Sequence, residues 1–331
     1  MDTTCSIILA AGKGTRLKSD HPKVLHEILG YPLVYYSLTL VGDFSEGVIA
    51  VVGHGRDMVI PYLDSFHVNI VVQEPQLGTG HAIVMAKKAL SEAHAGHVLI
   101  LPGDMPLIRK ESLMGLLDVY HDAGADMGIL TARLADPSGY GRIVRDKKGN
   151  VARIVEHNDA TDRQKKIDEI NTSVYVINKK FLLASVEKIT SDNKKGEFYL
   201  TDIVAMADKA VSFTVTDPDE AHGINSRSQL AFTQSRMQQR INTMHMDSGV
   251  TLKDPLSAWI SPVTQIAHDV EIWPNVHIMG RSQIASGVKI MPNTWIKDSA
   301  IGKSTIIGIG SVIENRTIES YATIAPYSQI T

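Results

Sequence analysis

The stretch SIILAAGKGTRLKSDHPKVL, residues 6–25, decides the fold of the chain's first part. Its apolar start predicts a buried β-strand, and a loop with two glycines follows at once. Gly12 and Gly14 allow the backbone amides to approach an anion, while Arg16 and Lys23 add positive charge. The stretch fits neither the G-x-x-x-x-G-K-[ST] loop nor the G-x-G-x-x-G fingerprint. A turn with solvated basic side chains is the alternative interpretation of the loop alone.

Apolar runs alternate with segments of helical period as far as about residue 225. Five runs predict strands: 5–10, 47–53, 68–73, 97–104 and 125–132. Four segments between them predict helices: 33–42, 56–64, 80–93 and 110–122. Near-continuous apolar character indicates strands buried on both faces, so we expect a Rossmann-like α/β fold with a mostly parallel sheet. Ligands of such sheets bind beyond the carboxyl ends of the strands, where LAAGKGTR and LPGDMP lie.

Residues 226–249 predict one long helix that connects two domains. Ser226 can cap its start, and Gly249 lies just past its end. Its apolar side chains form a single stripe: Leu230, Met237, Ile241 and Met244. We therefore expect an N-terminal domain over residues 1–225, the connecting helix, and a C-terminal domain over residues 250–331.

The sequence period changes to six beyond residue 250. Isoleucines stand at positions 266, 272, 278, 284, 290, 296, 301, 307, 313, 318, 324 and 330, so two of the steps are five. A fixed aliphatic in each hexad is typical of a parallel β-helix, here of about three to four coils. Amphipathic antiparallel strands, the alternative, would have period two without a six-residue step. No polar cap follows the last coil, so we expect that a partner covers it or that the chain is part of something longer.

Composition excludes several classes of protein. The formal net charge of −3 gives no reason to expect a nucleic-acid partner. The single cysteine, Cys5, allows no intrachain disulfide, and no apolar stretch has the roughly 18 residues of a membrane span. We therefore expect a cytoplasmic protein with no membrane partner. No H-E-x-x-H, C-x-x-C or G-x-S-x-G motif occurs, so zinc peptidases and nucleophile-elbow hydrolases have no support.

Several polar side chains stand where a ligand would bind. Asp104, at the end of a buried strand, suits Mg²⁺, although it could instead cap the next helix. Gln73 can both donate to and accept from a nucleobase, and Thr79 opens a helix that it could also cap. Glu156, in a predicted hairpin over 139–160, and Asn171 could bind sugar hydroxyls or form buried structural hydrogen bonds.

Taken together, these segments resemble the nucleotide-sugar pyrophosphorylases, the sugar-1-phosphate nucleotidyltransferases. The similarity covers almost the whole chain, and the segments closely resemble those of the bifunctional bacterial members that make UDP-N-acetylglucosamine. It rests on these segments, in this order: LAAGKGTRL with PKVL, QLGTGHA, GDMPL, DPSGYGRIV, IVEHNDAT, EINT, GEFYLTDIV and GIN. The resemblance implies an N-terminal domain that joins UTP and N-acetylglucosamine 1-phosphate with the aid of Mg²⁺. It also implies a left-handed β-helix, a homotrimer formed through that helix, and a product that serves peptidoglycan and lipopolysaccharide synthesis.

The resemblance also implies roles for individual residues. Arg16 and Lys23 would be catalytic and face the triphosphate, and Asp104 and Asn225 would hold the Mg²⁺. The residues implied around the nucleotide are Leu9, Ala10, Ala11, Gly12, Gly14, Gln73, Gly78, Thr79 and Gly103. Those implied around the amino sugar are Gly141, Glu156, Asn171 and Thr172.

Two departures from the family pattern affect the expected function. Pro102 stands where many relatives have a tyrosine before the GD pair. The hexads end before the region where the family places its acetyl-CoA site, so we predict no acetyltransferase activity. Two alternatives stay open: a related transferase that uses glucose 1-phosphate or dTTP, and an inactive nucleotide-sugar sensor. The amino sugar is favoured by GYGRI with EINT, and the presence of Lys23 and Asp104 disfavours the sensor.

Overall fold

The computed structural model describes residues 3–331 and forms two compact units. The first contains the chain up to His26 together with Pro32–Gln229, and the second contains Glu27–Tyr31 together with Leu230–Thr331. The inclusion of Glu27–Tyr31 in the second unit is not apparent from the sequence. The functional boundaries after residues 225 and 249 stay a prediction.

The regular elements follow the predicted alternation. Those up to the long helix are β1 (Thr4–Ala10), β2 (Glu27–Ile28), β3 (Tyr31–Pro32), α1 (Leu33–Gly42), β4 (Gly47–Val52), α2 (Arg56–Leu63), β5 (Asn69–Val72), α3 (Thr79–Glu92), β6 (His97–Pro102), α4 (Lys110–Ala123), β7 (Met127–Arg133), β8 (Arg142–Arg145), β9 (Val151–Val155), α5 (Asp162–Lys165), β10 (Glu169–Asn178), α6 (Lys179–Ser185), β11 (Ala210–Thr214) and α7 (Arg227–Asp247). Short 3₁₀ helices lie at Thr15–Leu17, Lys23–Leu25, Val186–Lys188, Leu200–Met206 and Pro218–Ala221.

A nine-stranded sheet forms the centre of the first unit. Its main path runs β11-β7-β10-β6-β1-β4-β5, and the β8–β9 hairpin pairs with β10. Strand β10 is antiparallel to β6 and β7, whereas the other neighbours on the path are parallel. The predicted Rossmann-like, mostly parallel sheet is therefore confirmed. The carboxyl ends of β1, β4, β5 and β6 lie at one edge of the sheet, together with the amino end of β10.

The sheet is buried on both faces, as the apolar runs predict. On β1, Ile8 belongs to the core that packs against residues of α1 and α4, and neighbouring Ile7 belongs to the core that packs against residues of α3 and α6. The five predicted strands and four predicted helices agree with the structure to within two residues at each end. The sequence does not predict β11, because that half-buried edge strand lacks a continuous apolar run.

The second unit is dominated by a parallel β-helix of 14 short strands. They are β12 (Thr251–Leu252), β13 (Trp259–Ile260), β14 (Gln265–Ile266), β15 (Glu271–Ile272), β16 (His277–Met279), β17 (Gln283–Ile284), β18 (Lys289–Ile290), β19 (Trp295–Lys297), β20 (Ala300–Ile301), β21 (Ile306–Ile307), β22 (Val312–Glu314), β23 (Thr317–Ile318), β24 (Thr323–Ile324) and β25 (Gln329–Ile330). They form three sheets of five, five and four strands. The coil therefore completes four turns and adds two strands, which exceeds the predicted three to four coils. The predicted left-handed β-helix fold is confirmed.

The hexad isoleucines stack in the interior of the coil. Ile272 pairs with Ile290 one turn on, and Ile290 pairs with Ile307. The first step is 18 residues (290 − 272) and the second is 17 (307 − 290), because the shortened hexad removes one residue between Ile296 and Ile301. The five-residue step thus shortens one turn of the β-helix without moving an isoleucine out of the stack.

Left-handed backbone conformations form the corners of the coil. Asn275 and Asn293 occupy equivalent corners one turn apart, with φ of 59° and 58°. Their side chains are joined by a hydrogen bond of 3.1 Å from Asn275 Nδ2 to Asn293 Oδ1. Short polar side chains adopt this conformation more readily than bulky ones, which accounts for the small and polar residues at most corners; Tyr321 and Tyr327 are the exceptions.

Residues 3–331 include no helix whose length and apolar character would allow it to cross a membrane.

Two adjacent isoleucines on β21 provide a test of the interior stack. Ile307 is fully buried, whereas 40% of Ile306 is exposed. We expect Ile307→Ala to lower the free energy of unfolding by about 2–5 kcal/mol, because it leaves a cavity in the stack. The matched control Ile306→Ala should change it by less than about 0.5 kcal/mol.

Tryptophan fluorescence during urea unfolding measures this effect selectively. The chain's 3 tryptophans are Trp259, Trp273 and Trp295, and all of them lie in the second unit. Equal destabilisation by the two alanine variants would contradict the predicted stack.

Candidate active site

A cavity of about 780 Å³ opens in the first unit at the sheet edge that carries the carboxyl ends of β1 and β6. Twelve of the predicted site residues line it: Leu9, Ala11, Gly12, Gly14, Gln73, Gly78, Thr79, Asp104, Glu156, Asn171, Thr172 and Asn225. They come from segments that are far apart in sequence. The parallel pairing of β1 with β4 and β6 brings these segments to one edge.

The other five predicted residues lie next to this lining. The Ala10 side chain is part of the apolar core, and only 2% of the residue is exposed. The Gly103 amide donates to the Leu9 carbonyl oxygen at 2.9 Å. A Cβ on Gly141 would lie 3.4 Å from Glu156 Oε1.

Arg16 and Lys23 are the two predicted catalytic cations among those five. Arg16 is exposed on the 3₁₀ helix Thr15–Leu17. Its charge partly offsets the effects of burial and of Asp104, which raise the pKa of the Tyr140 phenol. Tyr140 is itself a lining residue, so Arg16 lies near the cavity.

The glycine loop leaves room for Lys23. Gly14 has a left-handed conformation, with φ of 61°. A Cβ at this position would lie 2.7 Å from the Lys23 Cβ, closer than side chains approach one another. Leu17 is buried and anchors the loop between these residues. The second glycine of the motif therefore serves the packing of the lysine as well as exposing backbone amides.

Lys23 joins the two residues predicted to hold a metal. Its Nζ donates to Asn225 Oδ1 at 2.8 Å and forms an ion pair with the Asp104 carboxylate. Only 13% of the Lys23 side chain and 15% of the Asp104 side chain are exposed. The Ile224 amide donates to the Asp104 carbonyl oxygen at 3.1 Å, which keeps the segment before Asn225 beside Asp104.

The side-chain oxygens of Asp104 and Asn225 suit a divalent cation both in their chemistry and in their arrangement. A carboxylate and an amide oxygen already converge on one positive group, the Lys23 ammonium. In residues 3–331 no group of three or more His, Cys, Asp and Glu side chains is arranged to hold a metal. Mg²⁺ commonly takes one or two protein oxygens and completes its coordination with phosphates and water. A metal here would therefore depend on ligands from a substrate.

The alternative interpretations of Asp104 and Thr79 as helix caps are wrong. Helix α4 begins at Lys110 and has Arg109 as its N-cap, so Asp104 lies too far before the helix to cap it. Helix α3 has Gly78 at its N-cap, with φ of 110° and no side-chain cap. The Thr79 hydroxyl instead accepts a hydrogen bond of 3.0 Å from the Leu200 amide. Thr79 thus fixes the start of α3 against the next segment of the cavity wall.

The orientation of Gln73 defines what it can offer a ligand. Only 3% of the residue is exposed. Its Nε2 donates to the Gly78 carbonyl oxygen at 2.9 Å and lies 3.2 Å from His81 Nδ1, which accepts in the appropriate tautomer. An amide nitrogen has two hydrogens, and both are then directed at protein acceptors. Only Oε1, a hydrogen-bond acceptor, is then left to contact a ligand.

The far end of the cavity is formed by Tyr140 and Glu156, which flank the β8–β9 hairpin, and by a bulge in β10. The pairing of β10 with β7 shifts between Asn171 and Tyr175, where Ser173 has a φ of 64°. Asn171 Nδ2 donates to the Tyr175 hydroxyl at 2.7 Å. The Thr172 hydroxyl donates to the Leu130 carbonyl oxygen at 2.7 Å, so this contact belongs to the framework. The bulge thus determines the direction of the polar side chains on β10.

Sequence reasoning missed a group of residues around Glu156. The Thr201 hydroxyl donates to Glu156 Oε1 at 3.2 Å. Burial raises the pKa of Glu156, and the nearby charges of Asp159 and Asp202 raise it further. The hydrogen bond from Thr201 and the charge of Lys195 oppose this rise. Among the described residues, the Tyr199 hydroxyl and Asp159 Oδ2 are buried without a hydrogen-bond partner.

The segment GEFYLTDIV carries Tyr199, Thr201 and Asp202 and supports the family resemblance, but it contains no motif with a stated chemical role. Nothing in its spacing indicates that it faces Glu156.

A second groove, of about 580 Å³, crosses β14, β17, β20 and β23 in the second unit. Among its described lining residues, Glu319 alone has an ionisable side chain. The groove therefore lacks the combination of cations, carboxylate and amide that the cavity of the first unit offers.

Comparison with known proteins identifies the family of the chain. Residues 6–198 match the MobA-like NTP transferase domain, so the chain is a nucleotidyltransferase. Over 334 residues it is 40% identical to the bifunctional protein GlmU of Caldanaerobacter subterraneus subsp. tengcongensis, with 100% of this chain and 72% of the relative covered. It is 42% identical to GlmU of Thermoanaerobacter pseudethanolicus over 335 residues, covering 100% and 72%. For GlmU of Streptococcus equi subsp. zooepidemicus the identity is 41% over 331 residues, covering 98% and 71%. The chain belongs to the GlmU family.

This membership confirms the resemblance that the motifs indicate. It also confirms the predicted enzyme class, a nucleotidyltransferase of the UDP-N-acetylglucosamine pyrophosphorylase type, with a nucleotide and a sugar phosphate as substrates. A divalent metal is general in this class. The roles of individual residues stay predictions.

The raised pKa of Glu156 has a testable consequence for stability. The ionised form of Glu156 is disfavoured in the folded protein. Its contribution to the free energy of unfolding is therefore most favourable below its pKa in the unfolded chain, about 4.3, and is lost as pH rises through its pKa in the folded protein. Glutamine cannot ionise and still accepts from Thr201. We therefore expect Glu156→Gln to stabilise the first unit at pH 7 and the difference to disappear near pH 4.

Urea unfolding followed by far-ultraviolet circular dichroism at the two pH values checks this expectation. Glu92→Gln, at an exposed position on α3, is the control and should change stability little at either pH. A stability difference for Glu156→Gln that is the same at both pH values would show that ionisation is not its cause.

Proposed function

We propose that the cavity joins UTP to N-acetylglucosamine 1-phosphate and releases UDP-N-acetylglucosamine and pyrophosphate. A phosphate oxygen of the sugar phosphate attacks the α-phosphorus of UTP in line. A new P–O bond forms while the bond to the bridging oxygen of the β-phosphate breaks, and pyrophosphate leaves with that electron pair. The observation that carries this proposal is the convergence of Asp104, Asn225, Gln73 and Glu156 in one cavity, with Lys23 bound to the first two of them.

The proposed base specificity follows from the acceptor that Gln73 presents. Uracil carries an N–H at position 3, which can donate to Gln73 Oε1. Cytosine has an unprotonated nitrogen at that position, so two acceptors would face each other. Thymine has the same N–H as uracil, which is why dTTP has to be tested directly.

The proposed sugar site lies at the Glu156 end of the cavity. An ionised Glu156 only accepts hydrogen bonds, as sugar hydroxyls and an acetamido N–H require. The buried Tyr199 hydroxyl, without a partner among the described residues, can donate to a carbonyl oxygen. An N-acetylated sugar offers both kinds of group, and a plain hexose lacks the amide.

Catalysis in this proposal consists of positioning and charge stabilisation. No protein nucleophile is needed, because the attacking phosphate is already anionic. Asp104 and Asn225 would hold Mg²⁺, which when bound neutralises phosphate charge. Arg16 and Lys23 stabilise the charge that develops on the departing pyrophosphate, and the glycine loop from Leu9 to Gly14 contacts the nucleotide through its backbone.

Other expectations remain part of the proposal. They are a cytoplasmic location, a homotrimer through the β-helix, and no nucleic-acid or membrane partner. The predicted lack of acetyltransferase activity also stays a prediction, and an assay with acetyl-CoA tests it.

A pyrophosphate-release assay with a substrate panel tests the proposed reaction. We expect release with UTP, Mg²⁺ and N-acetylglucosamine 1-phosphate, no release with CTP, and at least about tenfold lower kcat/KM with glucose 1-phosphate, since unpaired buried polar groups oppose the wrong substrate. Omission of Mg²⁺ with added chelator is the control. Faster turnover with dTTP or glucose 1-phosphate would favour the related transferase, and no turnover at all would favour the sensor.

The assignment of Asp104 predicts a loss of turnover in Asp104→Asn. The substitution preserves size but removes the charge that attracts the metal, so kcat should fall by about 10²-fold or more. Asp57→Asn on α2, where 98% of the side chain is exposed, is the matched control and should retain full activity. Circular dichroism checks the fold of both variants. Turnover of Asp104→Asn close to that of the unmutated chain at saturating Mg²⁺ would refute the assignment.

A further inference from the structure

The Lys23 ammonium lies where the proposed metal would bind. It contacts both oxygen ligands, Asn225 Oδ1 at 2.8 Å and the Asp104 carboxylate. An Mg²⁺ ion would need the same oxygens at about 2.0–2.1 Å. An ammonium and a divalent ion cannot both bind these two oxygens, because their like charges would lie within a few ångströms of each other.

The burial of Asp104 explains why a lysine occupies this place. The Asp104 side chain is only 15% exposed, and a buried charge without a partner is strongly destabilising. Some cation must therefore neutralise Asp104 before a metal arrives. Lys23 can do so because Gly14 leaves space for its stem. Any side chain at position 14 would place a Cβ against the Cβ of Lys23.

We propose that Lys23 is an internal counterion that the metal displaces from Asp104 and Asn225. The flexible four-carbon stem then lets the ammonium turn into the cavity toward the substrate phosphates, while its Cβ stays packed beside Gly14. One movement thus exchanges the cation on Asp104 and delivers the lysine to the site where pyrophosphate charge develops.

This exchange has a consequence for the order of binding. The metal has to compete with the Lys23 ammonium, which is tethered beside Asp104 and so has a high local concentration there. The enzyme without a nucleotide therefore binds the metal weakly. A nucleotide supplies phosphate ligands for the metal and a new partner for Lys23, and both effects favour the exchange. The metal is therefore expected to enter together with the nucleotide.

Binding of Mn²⁺ to the full chain without any nucleotide tests the exchange. Free Mn²⁺ is measured by electron paramagnetic resonance. Removal of the competing ammonium in Lys23→Met should lower the Kd for Mn²⁺ by at least about tenfold relative to the unmutated chain. Lys13→Met removes the same charge from an exposed position in the same cavity lining, and should change the Kd by less than about threefold.

Two further variants make the result decisive. The double variant Lys23→Met with Asp104→Asn should lose the gain in affinity, because the carboxylate that binds Mn²⁺ is gone. Lys23→Gln replaces Lys23→Met if the latter does not fold. Mn²⁺ should also raise the Tm of the Lys23 variant more than that of the unmutated chain, because only the variant has an uncompensated carboxylate.

The proposal is overturned if Lys23→Met binds Mn²⁺ no more tightly than the unmutated chain. It is equally overturned if Lys13→Met gains as much, because general electrostatics would then explain the effect. The inference rests on the proposed function only for the assignment of Asp104 and Asn225 as metal ligands. Since the experiment uses no substrate, its failure is distinguishable from a failure of pyrophosphate release.

Discussion

The contact of the Lys23 ammonium with Asp104 and Asn225 is the interaction on which the geometry of the site depends. It joins the loop after β1, the segment after β6 and the turn before α7, and Lys23 and Asn225 are 202 residues apart in sequence. Because the Lys23 and Asp104 side chains are largely shielded from water, the carboxylate requires a cation at all times. The need for a cation beside Asp104 therefore links the stability of the site without a metal to its chemistry with one.

The rest of the first unit serves to bring these groups together. Strands buried on both faces pair in parallel, so their carboxyl ends meet at one edge and leave a cavity there. Small residues are needed where segments approach closely: Gly14 admits the Lys23 stem, and Gly141 lies beside Glu156. The antiparallel strand β10 adds its bulged amino end, with Asn171, to the same edge.

The second unit is stabilised in a different way. Its interior is a stack of isoleucines such as Ile290 and Ile307, and each coil repeats the contacts of the previous one. A regular repeat of this kind tolerates the loss of one residue per turn, as the change from 18 to 17 residues shows. The cavity of the first unit has no such redundancy, since each of its polar groups occurs once.

The sequence by itself determined five strands and four helices of the first unit, the hexad coil, the family and twelve of the residues that line the cavity. These follow from local signals: apolar runs, a period of six and short motifs with a fixed order. Only the tertiary structure decided that Lys23 binds the two predicted metal ligands, that Gln73 presents an acceptor, and that Tyr199 and Thr201 lie beside Glu156. Such contacts depend on the packing of segments distant in sequence, and no local pattern encodes the direction of a buried polar side chain.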